Sequence, residues 1–249
     1  MNRSVYLSVL FSVLILLSFG CGGDSSESNI TASEDQKDRI RDYFFPSDSL
    51  NPYIYVYADE NRPVDEKFYR IFRLKTKDKN DLIVERYNAE FRITEGFTYD
   101  LDDNLSISDH MIVDAQGKKR QAKLTSSSLY PVNEDDEAVF ISDFPAHIDS
   151  LVGVYKSKKT VEERFDYEIF GEKTKAIKVL DEVTLSFVNP FNEKGSSNTV
   201  EIYRVYAKGF GLTEWYTVDQ KIHFKLQRIL SNEWWKEFAQ GPVVKGVTE

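Results

Sequence analysis

The sequence predicts an all-β fold: an antiparallel meander forming a curved sheet, an open or partly closed barrel with short peripheral helices. Three observations predict it. Apolar and polar residues alternate with period 2 through Ile222–Arg228, Arg164–Ile169 and Val183–Phe187. Turn-forming clusters separate such stretches at Asn61-Arg62-Pro63, Asp78-Lys79-Asn80, Asp102-Asp103-Asn104, Gln116-Gly117 and Asn192–Asn198. Strands so short and so often interrupted suit hairpins, because βαβ crossovers need a dozen or more linking residues.

The elements follow in chain order. Arg3 precedes an apolar run, Val5–Leu17, of thirteen residues. That is short of the roughly 20 needed to span a bilayer as a helix, and it fits the apolar core of a secretory signal peptide. Gly22–Gln36 is Gly, Ser and acid with almost nothing to bury, a flexible tether whose r.m.s. reach is roughly 20 Å. Asp35–Phe44 is predicted to form one short helix ended by Pro46. Strands are then expected near 52–58, 68–75, 81–89, 92–99, 105–114, 118–125, 137–142, 151–157, 164–169, 174–180, 183–187, 199–207, 212–218 and 222–228. A second helix is expected from Ser231, whose hydroxyl could cap free amides. Trp234 and Phe238, four apart, share its sheet-facing side. The domain reading is thus 1–20 signal peptide, 21–37 lipidated Cys and tether, and 38–249 β-rich domain of about ten to fourteen strands. A division into two subdomains near the acidic loop 134–137 is left open.

Ser18-Phe19-Gly20-Cys21 resembles the lipobox of bacterial lipoproteins, although that family prefers Leu where this chain has Ser18. The resemblance implies cleavage before Cys21 and acylation of its thiol and new amino group. Several acyl chains on one residue would hold the protein stably on a membrane without a spanning helix. The address implied is the Gram-negative cell envelope, at the outer membrane on its periplasmic or surface face. In the body, Tyr203–Trp215 resembles a Tyr-Ala-x-Gly-x-Gly-Leu strand–turn–strand found near the C-terminus of uncharacterised β-rich envelope lipoproteins.

Composition narrows the function classes. The 249 residues are 41% hydrophobic and 29% charged, enough to build a core, and carry a formal charge of −9. An anionic chain argues against a nucleic-acid groove, which needs clustered Lys and Arg. A single Cys excludes an intramolecular disulfide framework and a Cys-based zinc site. No catalytic motif is found and no cofactor is expected. There is no Gly-x-Ser-x-Gly elbow, and His110, His147 and His223 are isolated from one another in sequence, as solvated or half-buried imidazoles are. Gly209-Phe210-Gly211 has Glu214 where a dinucleotide loop needs its third Gly, and positive φ at a hairpin explains it better. Gly171-Glu172-Lys173-Thr174 lacks the glycines of a phosphate loop.

Asp100, Asp102 and Asp103 are weak metal candidates that fail the EF-hand template at Leu105 and Met111; a solvated turn is the simpler reading. The surplus is aromatic, 14% of the chain. Tyr53, Tyr55, Tyr57, Trp215, Trp234 and Trp235 are the candidate ligand or partner platform, with core filling as the competing reading. The function expected is a lipid-anchored, non-catalytic envelope scaffold binding an amphiphile, a glycan or an envelope protein. A structural subunit of an envelope complex is the alternative and a cell-surface hydrolase the second alternative.

Overall fold

The computed structural model describes residues 39–46, 52–114, 116–146, 151–192 and 195–239. The leader, Cys21, the tether and His147 lie outside the described residues. The strands are β1 (Tyr53–Asp59), β2 (Glu66–Lys75), β3 (Asn80–Tyr87), β4 (Ile93–Asp100), β5 (Ser106–Val113), β6 (Lys119–Gln121), β7 (Lys123–Ser127), β8 (Ala138–Pro145), β9 (Val152–Ile169), β10 (Glu172–Val188), β11 (Gly195–Ala207), β12 (Gly211–Thr217) and β13 (His223–Ser231). The helices are α1 (Arg41–Phe44) and α2 (Asn232–Ala239). All thirteen strands join one antiparallel, nearly closed barrel-like sheet in the order β6-β5-β4-β3-β2-β1-β13-β12-β11-β10-β9-β8-β7. The all-β meander read from the alternation is therefore the observed fold. Strands on both sides of 134–137 belong to this same sheet.

Closure has two parts. The first strand zips to the last, Tyr53 opposite Ser231 through Asp59 opposite Phe224. The outermost strands, β6 and β7, are separated by Ala122 alone. They are two halves of one bent strand, the first pairing with β5 and the second with β8. The Ala122 amide donates to the His110 carbonyl at 2.9 Å. Bulges at Val56/Tyr57, Thr98/Tyr99, Lys178/Val179 and Val205/Tyr206 add the local twist that curves a sheet.

Two pairs of expected strands are each a single long one. Residues 151–157 and 164–169 merge into the 18-residue β9, and 174–180 and 183–187 into the 17-residue β10. Alternation fails in the sequence at Ser157-Lys158-Lys159-Thr160 and Asp181-Glu182, which reads as loop. In the barrel Lys159 and Asp181 face each other across the β9–β10 ladder and neutralise one another inside. The hairpin turns on Phe170 and Gly171, both at positive φ, as a two-residue turn matching strand twist requires.

Of the helix expected over 35–44, the described part is the single turn Arg41–Phe44; Phe45 is extended before Pro46. The turn covers one end of the barrel. The Phe44 ring lies 4.2 Å from Tyr130 and 5.0 Å from Tyr206, and Pro46 bridges to Phe210. At the end of β13, α2 lies over the outer face, where Trp235 meets Tyr87 at 4.6 Å and Phe68 at 6.1 Å. The Phe238 side chain lies outside the described ones.

Candidate functional site

Inward positions of neighbouring strands bring charged side chains into register at the barrel's centre. On β3 and β4, Arg86 faces Glu95, with Nη1 donating to Oε2 at 2.5 Å. On β9, β10 and β11, Asp181 receives Lys159 Nζ at 3.3 Å, Arg204 Nε at 2.7 Å and the Ser157 hydroxyl at 2.5 Å. Lys159 also donates to Ser157 at 2.6 Å. Between the two clusters sits a cavity of ≈ 40 Å³, lined by Arg86, Lys159, Asp181, Arg204 and tyrosines that include Tyr69, Tyr130 and Tyr155. A water needs roughly 10–15 Å³ by this measure, so two or three water-sized atoms fit and an acyl chain does not.

Burial and pairing set the electrostatics. Burial would raise the Asp181 carboxyl, but Lys159 and Arg204 outweigh it and hold it at about 2. Burial opposes Glu95 in the same way, and Arg86 and His110 bring it to about 2. Lys159 is pushed down to about 8, chiefly by burial and with help from Arg204 and Arg86, against the pull of Asp181. Burial drives the Tyr57, Tyr99 and Tyr206 phenols well up, so they are neutral hydrogen-bonding groups.

One cluster has the outline of a hydrolase triad. His110 Nδ1 lies 2.9 Å from Ser142 Oγ, and His110 Nε2 lies 3.0 Å from Glu95 Oε1. His110, expected to be solvated or half-buried, is fully buried, as is Ser142. A nucleophile must meet its substrate. With His110 and Ser142 fully buried and only Glu95 partly exposed, this Ser–His–Glu chain joins β4, β5 and β8 across the seam. His223 is half-buried between Glu214 at 2.6 Å and Glu60 at 3.4 Å.

The aromatic platform residues fall on both faces of the sheet. Tyr55 and Tyr57 are buried inward, their hydroxyls donating to the carbonyls of Phe210 at 2.7 Å and Leu212 at 2.8 Å. Trp215 joins them inside, 4.6 Å from Tyr57. Tyr53 is half-buried at the strand's start and packs on that core. Trp234 and Trp235 belong to the outer cluster with Ile54, Val56 and Phe68. The structure thus brings three of the six together as core. Asp100 Oδ1 accepts the amides of Asp102 at 2.8 Å and Asp103 at 3.2 Å, Asp102 accepts Asn80 and Asp103 accepts Ser106, so all three shape the β4–β5 turn. Among the described residues, no three His, Cys, Asp or Glu side chains group as a metal site.

Sequence reading missed the charged interior. One signal for it exists: Leu82, Val84 and Arg86 have the same parity, so the arginine continues an apolar face.

A second feature lies outside the barrel. β10 and β11 pair out to Val188 and Gly195, but β12 pairs with β11 only from Ile202. No described strand covers the outer edge of β11 from Gly195 to Glu201. There the inward face runs on past the barrel wall, exposing Leu185 and Val200 beside Val218 and Ile222.

No protein-family model and no curated protein sequence matches the chain. Among solved structures, it is similar to a Bacteroides fragilis protein assigned as exported, with a YmcC-like fold: 10% identity, TM-score 0.40, covering 76% of this chain and 99% of that one. It is also similar to a Parabacteroides distasonis protein assigned as a lipoprotein: 13% identity, TM-score 0.30, covering 76% of this chain and 98% of that one. Likeness at these values carries neither a function nor a site to this chain.

Proposed function

We propose that this chain is a lipid-anchored, non-catalytic scaffold of the Gram-negative cell envelope, held at the outer membrane through Cys21, that binds an envelope protein along the free edge of β11. The observation that carries the binding mode is the contrast between the two ends of the same sheet face. Inside, the face is filled, and the remaining ≈ 40 Å³ excludes an amphiphile. Outside, the edge from Gly195 to Val200 offers unpaired main-chain groups next to exposed Leu185 and Val200. An extended segment adds to such an edge through main-chain hydrogen bonds and takes specificity from alternate side chains. The thirteen-residue apolar run before Cys21 supports the anchor, and Gly22–Gln36 supplies its reach.

The test has two arms. Cys21→Ser is expected to move the protein from the membrane to the soluble fraction; retention of the variant on the membrane would reject the anchor. A photo-crosslinking residue at Asn198 is expected to trap one discrete protein in cells, and Thr199→Pro, which blocks edge pairing, is expected to abolish it. Labelling that survives Thr199→Pro, or capture of glycan or lipid alone, would overturn the edge reading.

A further inference from the structure

The barrel's central cavity has a charge balance that its own side chains do not complete. Arg86, Lys159 and Arg204 face two carboxylates, Glu95 and Asp181. The surrounding Tyr69, Tyr130 and Tyr155 supply phenol rings. We infer that this cavity binds one small monovalent inorganic anion of the chloride class, beside Lys159 and Arg204.

Three physical points carry the assignment. An uncompensated cation in a protein interior costs several kcal/mol, so a third cation beside two acids either sheds its proton or gains a counter-ion. The lysine is the group that can respond, because guanidinium does not deprotonate in proteins. Its hydrogens are also only partly used: of three, Ser157 at 2.6 Å and Asp181 at 3.3 Å take two. The third point is size. A cavity of ≈ 40 Å³ holds two or three water-sized atoms, which suits a halide with a water and excludes sugar acids, nucleotides and fatty acids. The wall mixes these charged groups with apolar side chains, among them Phe44 and Phe45 of the barrel-end plug.

The site is separate from the β11 edge, and its test does not involve any partner. Thermal unfolding of the full chain in detergent would be followed in sodium chloride, bromide and gluconate at one ionic strength. Chloride and bromide are expected to raise Tm with the logarithm of their concentration, by about 3–6 °C at ten times the dissociation constant, and gluconate is expected to leave it unchanged. The halide effect is expected to fade above about pH 9, where Lys159 has lost its charge while facing Asp181, Arg204, Arg86, Tyr130 and Tyr155. Crystals grown in bromide are expected to show an anomalous peak in the cavity next to Lys159. Lys159→Met is expected to remove the halide effect; if that variant does not fold, the bromide density decides alone. Equal Tm responses in the three salts, or bromide at the protein surface only, would overturn the assignment.

Discussion

Asp181 is the carboxylate on which the interior depends, and replacing it tests the reading of the barrel's centre. Burial alone would raise its pKa, yet Lys159, Arg204 and Ser157 hold it at about 2 against an ordinary 3.8. A difference of that size corresponds to about 2.5 kcal/mol of stability at neutral pH. Because the folded-state value is the lower one, this contribution is complete above the unfolded pKa and is lost as pH falls from about 4 towards 2. Asp181→Ala also strands two cations, and breaking a buried pair from one side typically costs about 3–5 kcal/mol. We therefore expect Asp181→Ala to lose about 3–5 kcal/mol at pH 7, or roughly 6–20 °C in Tm for a domain of this size. Asp181→Asn, nearly the same shape, should lose most of that, since the charge matters more than the packing. Urea unfolding followed by near-ultraviolet circular dichroism at pH 7 and pH 3 measures both quantities. A loss under about 1 kcal/mol at pH 7, or a gap as large at pH 3 as at pH 7, would refute the reasoning.

Two further outcomes are expected. His110→Leu removes the link between Ser142 and Glu95 and leaves the buried hydroxyl and the half-buried carboxylate each short of a partner; it should cost about 2–4 kcal/mol and speed hydrogen exchange at the Ala122 amide, read by mass spectrometry. Gly211→Ala meets two obstacles, a φ of +81° and a Cβ 3.1 Å from the Phe44 carbonyl, so it should cost about 1–3 kcal/mol and make the 39–46 segment an early proteolytic site.

Much of the fold was legible because alternation is a local property. Ile222–Arg228 names its own buried and exposed faces, and Gly209 and Gly211 announce a hairpin by the positive φ that only glycine adopts cheaply. Of the helix expected over 35–44, the described turn Arg41–Phe44 and its end before Pro46 were legible. Reading failed where residues of opposite type compensate across strands. Lys159 and Asp181 are 22 positions apart in sequence, and each looks like a break in a strand until the other is opposite it. The same holds for His110, which carries no motif and meets Ser142 and Glu95 only when β5 and β8 come together at the seam. Tyr55 and Tyr57 were ambiguous for a different reason. Alternation places them on one face, but whether that face meets solvent or core depends on which way the sheet curls.

The sequence by itself determined the secondary structure class and most turn positions, since periodicity and glycine conformation are properties of neighbouring residues; the turn expected over Asn192–Asn198 is strand β11 from Gly195 onward. Tertiary structure alone decided that Tyr55 and Tyr57 are core, that the charged residues meet inside, and that no described strand covers the β11 edge from Gly195 to Val200. Each of those depends on the register between strands far apart in the chain, and ion-pair energies in a low-dielectric interior exist only after that register has formed.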